Sequence, residues 1–293
     1  MTCPSLVWPR HFGQIAPVIV PTCLMTDVMV GEVLTRLERE GVRENTLVLF
    51  MTDHGISHAR GKQFLYDEGL HVPLVISGPG IKVGSVREDL VEHIDIAALS
   101  LAAAGIPIPD YMQAKDILAA GYVPREAVFA ARDRCDETVD HIRSVRTKQF
   151  KYIRNFLPNR PYLQPCAYKD AKRILIALRA CNAQGELDEV QELLFRDVRP
   201  LEELYDVTAD PFEIKNLADD SRYANTLKEM RGRLDIWMDE TSDQGREPES
   251  AEMFDSDMAV YLGRLKKRKQ DPAHVKVIED NIALMKKWAS EGK

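Results

Sequence analysis

Thr46-Leu-Val-Leu-Phe-Met-Thr52-Asp53-His54-Gly55-Ile-Ser-His58-Ala-Arg60-Gly61-Lys62-Gln-Phe-Leu-Tyr66-Asp67-Glu68-Gly69 is the stretch on which the reading of this chain turns. Thr46 to Thr52 is a continuous apolar run of strand length. Runs of that kind belong to strands buried on both faces, in a parallel sheet with helices on each side. The run ends at Asp53 and His54, and the chain then enters a glycine-punctuated loop. In open α/β sheets ligands bind beyond the carboxyl ends of the strands, which is where these two residues stand. A carboxylate beside an imidazole can give two ligands to one metal ion, and the metal can hold an anionic substrate. Lys62 follows a glycine on the same loop and can bring a compact positive charge to an anion. The plainer alternative is a turn in which Asp53 caps its own backbone.

Working outward, Val30, Val33, Leu34 and Leu37 recur at helical spacing upstream, with Thr26 as N-cap and Gly41 as terminator. Downstream, Val72-Pro-Leu-Val-Ile-Ser77 is a second strand run, stopped by Gly78-Pro79-Gly80. His93 to Ala104 is an Ala-rich helix ended by Gly105. Helix, strand, loop, strand, helix is the order of an α/β layer. After Pro124 the texture changes to short strands at Ala127–Ala131, Ile142–Val145, Gln149–Arg154 and from Glu203, with helices over Ala171–Arg179, Glu186–Leu194 and Arg222–Glu240. The prolines at 4, 9, 17 and 21 point to an irregular lead-in over residues 1–25. The charged remainder, 246–293, reads as one or two surface helices held by a narrow apolar stripe.

Composition gives the chain material for a core. Of 293 residues, 45% are hydrophobic and 29% charged, with a formal net charge of -7. An acidic balance of 39 basic against 46 acidic residues argues against nucleic acid as partner, since that needs a basic footprint. No apolar run reaches membrane-spanning length. The five cysteines show no CxxC and no paired metal-type spacing, and they read as reduced thiols. The N-terminus shows no secretory signal.

Taken in order, Thr52-Asp53-His54-Gly55, Gly61-Lys62, Leu65-Tyr66-Asp67-Glu68-Gly69, Val72-Pro73-Leu74, Gly78-Pro79-Gly80, Glu92-His93-Ile94-Asp95-Ile96, Ala104-Gly105-Ile106-Pro107, Glu202-Glu203-Leu204-Tyr205-Asp206 and Glu213-Ile214-Lys215-Asn216-Leu217-Ala218 resemble the sulfatase family. The likeness leans toward bacterial arylsulfatases and heparan N-sulfatase (sulfamidase)-like members and covers about Thr26 to Gly245. It implies an α/β fold: a partial alkaline-phosphatase-like sheet with flanking helices over 26–125, a smaller α+β subdomain over 126–245, and a helical tail. It implies metal-assisted hydrolysis of sulfuric esters or sulfamates, with Asp53 and His54 on a divalent cation and Lys62 on the sulfate. The family's usual ion is calcium. His54, where many relatives have Asn, admits zinc or manganese. The implied partner is a small sulfated molecule, an aryl sulfate or a sulfated sugar. The same superfamily holds phosphatases and phosphodiesterases with a zinc-bound His, but the Gly61-Lys62 and Tyr66–Gly69 string speaks against them.

Two departures matter. Family members attack sulfur with a formylglycine made in a Cys-x-Pro-x-Arg setting, and no cysteine or serine here stands in one. The paired aspartates that complete the family's metal site have no counterpart before Asp53. The expectation is a chain holding the second half of a catalytic unit and inactive alone: a fragment, a partner of a separate N-terminal half, or a non-catalytic remnant. Self-association through the charged tail is a further option, and export would depend on a signal upstream. The reading also predicts an uncovered edge or apolar patch near Thr46–Thr52. His58 is near enough on the loop to touch substrate. Arg132, Arg134 and His141, in the charged stretch Ala131–Arg143, are either substrate contacts or part of an ion-paired surface loop. Lys148, Lys151 and Arg154 alternate on one strand and read as a solvated edge.

Overall fold

The computed structural model describes residues 12–247 and 249–293, with side chains from Cys23 onward. Cys3 and the first part of the expected lead-in lie outside the described residues. The chain divides into two compact units. One runs up to Asp53 and resumes over Val72–Val128; the other holds His54–His71 and Phe129–Lys293.

In the first unit, helix α1 spans Phe12–Arg39. It begins upstream of Thr26 and includes Pro17 and Pro21, where the sequence reading expects irregular chain. Proline forfeits one backbone hydrogen bond, but its fixed φ near -65° is a helical value, so a helix can run through it. The helix ends as expected. Gly41 sits at φ +69°, its N–H bonds to Glu38 O (3.0 Å) and that of Val42 to Leu37 O (3.1 Å), a Schellman cap. Val30, Leu34 and Leu37 are half-buried, whereas Val33 is exposed with Leu24, Met25, Val28 and Met29.

Strands β1 (Val48–Met51) and β2 (Leu74–Ser77) pair antiparallel, with Phe50 opposite Val75 and Val48 opposite Ser77. The buried-run argument predicts parallel strands. The chain between the two runs contains only the single-turn helix α2 (Asp67–Leu70), and a parallel pair needs a full crossover connection. A Cβ on Gly78 would stand 2.8 Å from Thr46 O, so glycine permits the strands to approach at this end. Arg43 adds a side-chain clasp, donating to Ser77 Oγ at 2.6 Å. The Phe50–Val75 pair leaves an exposed apolar face, Val75 at 57%, in line with the patch expected near this strand.

Helix α3 (Asp95–Ala103) ends at Gly105, which again takes a positive φ. Its first residue, Asp95, is completely buried and fully engaged. Arg125 donates to both carboxylate oxygens at 2.7 Å, and the backbone N–H groups of Lys115 (2.8 Å) and Glu92 (3.0 Å) complete the set. A buried charge survives only when paired in this way. His93 Nε2 lies 3.0 Å from Thr52 O, which holds the strand end next to Asp53.

The second unit is built on a four-stranded sheet in the order β3 (Val128–Cys135), β4 (Thr138–Arg146), β5 (Phe150–Asn155), β6 (Glu202–Asp206). The β4–β5 and β5–β6 pairs are antiparallel, with Tyr152 between Val145 and Leu204. Around it stand α4 (Ala167–Asp170), α5 (Arg173–Gln184), α6 (Glu189–Glu192) and α7 (Ala224–Glu240). Trp237 of α7 stacks on Phe129 at 5.0 Å. The tail forms two helices, α8 (Ala251–Lys267) and α9 (Pro272–Ser290), whose Phe254, Met258, Ile278, Ile282 and Met285 close over Ala167.

β5 is an interior strand of this sheet, so the solvated edge read for Lys148, Lys151 and Arg154 is corrected. Lys148 is exposed, but Lys151 is 0% exposed and Arg154 is paired with Asp235 at 2.6 Å. Alternation tells which residues share a face and not which face is covered.

Candidate active site

The loop after β1 owes its shape to three glycines. A Cβ on Gly55 would lie 1.8 Å from Glu68 O, one on Gly61 1.9 Å from Ile56 O, and one on Gly69 2.6 Å from Gly61 O. The backbone folds on itself through Gly55 N–H to Gly69 O (2.9 Å), Lys62 N–H to Ile56 O (2.9 Å) and Phe64 N–H to Gly61 O (3.0 Å). Phe64, Leu65 and Tyr66 then enter the core with Ile142, Ile153, Leu175, Leu178 and Tyr205. That burial holds the loop rigidly on the sheet of its own unit.

Tyr66, Asp67 and Glu68 are its anchors. Tyr66 donates to Glu203 Oε2 at 2.8 Å. Lys151 Nζ lies 2.5 Å from Asp67 Oδ1, 2.9 Å from Glu213 Oε1 and 3.1 Å from Leu65 O, and Arg146 adds bonds to Asp67 at 2.9–3.1 Å. Burial alone would raise the Asp67 carboxyl, but Lys151 and Arg146 win and hold it at about 2. Glu213 moves the other way, raised chiefly by its burial. Lys151 lies nearer to Asp67 than to Glu213.

Beside these anchors lies a cluster of basic and hydroxyl groups from two segments. Ser57, His58 and Lys62 come from the loop; Tyr168 and Lys169 come from α4, with Lys172 just after it. Lys62 Nζ stands 4.9 Å, and Lys172 Nζ 4.4 Å, from the centre of the Tyr168 ring. The Tyr168 hydroxyl pairs with Ser57 Oγ at 3.1 Å. That hydrogen bond, and then Lys62 and Lys172, lower the tyrosine's pKa. Lys169 is 3% exposed, with Nζ 3.2 Å from Ala59 O and 4.7 Å from the Phe64 ring centre. Burial first, then Arg132, bring its pKa down to about 7. His58 is lowered as well, by burial and then by Lys169 and Lys172. Among the described residues no carboxylate lies within ion-pair distance of His58, Lys62 or Lys172. Lys62 and Lys172 carry charge here, and an incoming anion would favour protonation of Lys169 and His58, whose pKa values burial and their basic neighbours lower.

Gln63, next to Lys62, sits at φ +85°, a region that L side chains avoid. Three contacts hold it there: Arg132 donates to its carbonyl, and its side-chain Nε2 donates to Cys135 Sγ (2.9 Å) and Cys166 Sγ (3.2 Å).

Asp53 is exposed and follows β1. His54 Nδ1 is 2.6 Å from Gly55 O. As donor to that carbonyl, Nδ1 carries the proton and Nε2 the lone pair a metal would use. Among the described residues no third His, Cys, Asp or Glu completes a set with this pair. Two donors fall short of the six to eight oxygens that calcium takes.

Of the other residues singled out from sequence, Arg132 touches the loop through the Gln63 carbonyl, while Arg134 and His141 lie elsewhere in this unit. The Arg132 side chain is nearly buried, 3.4 Å from Asp140. Arg134 is paired with Asp257 and lies 3.5 Å from Glu249, fastening β3 to α8. His141 is buried, and burial lowers its pKa. Of the sequence candidates, Lys62 meets Tyr168, His58 feels Lys169 and Lys172, and Arg132 reaches the same loop through Gln63; Tyr168, Lys169 and Lys172 are additions of the structure. The local signal for those three was slight, two lysines and a tyrosine after a Pro-rich loop.

A family model described as Sulfatase matches residues 13–106. An ulvan-active sulfatase of Formosa agariphila is 40% identical over 227 residues, which are 76% of this chain and 38% of that protein. Human N-sulphoglucosamine sulphohydrolase is 30% identical over 231 residues, 74% of this chain and 46% of that protein. Among solved structures, a protein in complex with its substrate D-glucosamine-2-N,6-O-disulfate superposes with a TM-score of 0.57 at 23% identity, covering 78% of this chain and 41% of the other. A 2-O GAG sulfatase gives 0.56 at 23% identity, covering 77% and 44%. These structures speak for the fold. The chain spans less than half the length of each of these four proteins.

Proposed function

Because the chain belongs to the sulfatase family, with a partial alkaline-phosphatase-like sheet, we propose that it supplies the sulfate-binding half of a hydrolase of sulfated sugars. The observation that carries this is the cationic cluster around Lys62 with no carboxylate of the described residues paired to it. Lys62 is the point charge for a sulfate oxygen. Lys172 and His58 flank it, and Lys169, at about 7, adds charge when an anion arrives. A sulfated sugar rather than an aryl sulfate is favoured by a relative named for N-sulphoglucosamine and a neighbour solved with a disulfated glucosamine.

Sulfatases use a divalent metal. Asp53 and His54 are this chain's share of its shell, calcium by family habit, and as two donors they do not make a complete site. What the chain's own residues do is bind and orient the anion. With no cysteine or serine in a Cys-x-Pro-x-Arg setting, these 293 residues bind a sulfate ester without cleaving it. Calorimetric titration with N,6-O-disulfated glucosamine and with unsulfated glucosamine tests the reading. Binding of the sulfated sugar only is expected. Equal binding of both, or metal-dependent release of sulfate by the purified chain, would overturn it.

A further inference from the structure

The hairpin between β3 and β4 ends in Cys135-Asp136-Glu137, and Cys166 stands one residue before α4. Asp136, Glu137 and Cys166 each place a ligand atom within 4.8 Å of the others. Cys135 joins them. The Gln63 amide donates to its sulfur (2.9 Å) and to that of Cys166 (3.2 Å), so the two sulfurs share one donor. Glu137 is 0% exposed. Its Oε1 accepts from Ala167 N–H (2.7 Å) and Asn281 Nδ2 (2.8 Å), while its Oε2 is buried without a hydrogen-bond partner. A buried, unsatisfied carboxylate oxygen costs several kcal/mol unless something meets it.

We propose that Cys135, Cys166 and Glu137, with Asp136 on the exposed side, form a structural site for a thiophilic divalent cation of the zinc class, separate from the Asp53–His54 pair. Ligand atoms held at 2.0–2.3 Å from one ion stand at most about 4.6 Å apart, so shifts of a few tenths of an ångström would close Asp136, Glu137 and Cys166 around it, with Cys135, held beside Cys166 by the shared Gln63 amide, turning in as the fourth donor. Two thiolates and two carboxylates carry four negative charges. A divalent cation offsets two of them, and Lys169 and Arg132 lie close enough to act on both sulfurs. The Gln63 amide supplies the outer hydrogen bonds that thiolate ligands of metals receive. Cysteine with carboxylate donors selects zinc-like ions over calcium. Such an ion would tie the β3–β4 hairpin to the segment bearing Tyr168, Lys169 and Lys172, and would fix Gln63 beside Lys62.

The test is titration of the reduced full-length chain with Cd²⁺ alone, read by the ultraviolet thiolate-to-metal absorption, together with Zn²⁺ and a thermal melt. The expected result is one equivalent bound, a thiolate band and a raised melting temperature. Cys166→Ser and Cys135→Ser should each lose the band, Glu137→Gln should bind at least tenfold more weakly, and Asp53→Ala should be unchanged. Circular dichroism confirms that each variant is folded. A folded chain without a thiolate band, a band that persists in Cys166→Ser, or a Cys135–Cys166 disulfide in place of the metal would each overturn the proposal.

Discussion

Replacing Lys151 by methionine keeps the length of the side chain and removes its charge. In the native structure the ammonium, 0% exposed, lies 2.5 Å from Asp67, 2.9 Å from Glu213 and 3.1 Å from the Leu65 carbonyl. Without it, Asp67 retains Arg146, but Glu213 faces Asp67 with no cation between them. Removing one partner of a buried ion pair costs about 3–5 kcal/mol, because the other charge stays buried and uncompensated. Asp67 gives an independent bound. Held at about 2 against an ordinary 3.8, it contributes roughly 2 kcal/mol of stability. Since its pKa is depressed in the folded state, that contribution is complete above about pH 4 and fades as pH falls toward 2. Urea unfolding followed by tryptophan fluorescence, with Trp237 stacked on Phe129 in this unit, reads both effects. A loss of 3–5 kcal/mol at pH 7 that shrinks in acid is expected. A loss below about 1 kcal/mol would mean that Lys151 is solvated and that Asp67 does not anchor the loop.

Two further outcomes follow from the same loop. Gly61→Ala drives a methyl to 1.9 Å from Ile56 O, so the loop must shift; a drop in melting temperature together with weaker sulfate binding is expected, whereas Gly232→Ala, with open space around it, should be neutral. Sulfate binding should weaken as pH rises through about 7, where Lys169 loses its proton, and a flat calorimetric pH profile that persists in Lys169→Met would show that Lys169 has no part in it.

Much of this was legible in the sequence, for identifiable reasons. Gly41 and Gly105 end helices because a left-handed cap favours glycine, a rule that acts within a few residues. The glycines at 55, 61 and 69 mark the loop because no larger residue fits, and that constraint appears directly as spacing. The antiparallel pairing of β1 and β2 was not legible, since a doubly apolar run does not state its partner's direction. Lys151 reads as solvated from the sequence because alternation cannot tell an interior strand from an edge. Ser57 and Tyr168 stand 111 residues apart, so the meeting of Lys62 with Tyr168 and Lys172 is a product of tertiary packing that no local pattern records. Arg132, Arg134 and His141 were found as a charged stretch, and only their partners distinguish a buried network from a binding surface.

The role proposed for the basic groups around Lys62 is that of the anion site of a sulfatase-family chain. Its most direct test is binding of N,6-O-disulfated glucosamine to the chain and to Lys62→Ala, whose fold is checked by an unchanged melt. At least a tenfold loss of affinity, about 1.4 kcal/mol, is expected, with a further loss in Lys172→Ala. Unchanged affinity in a folded Lys62→Ala chain would contradict it.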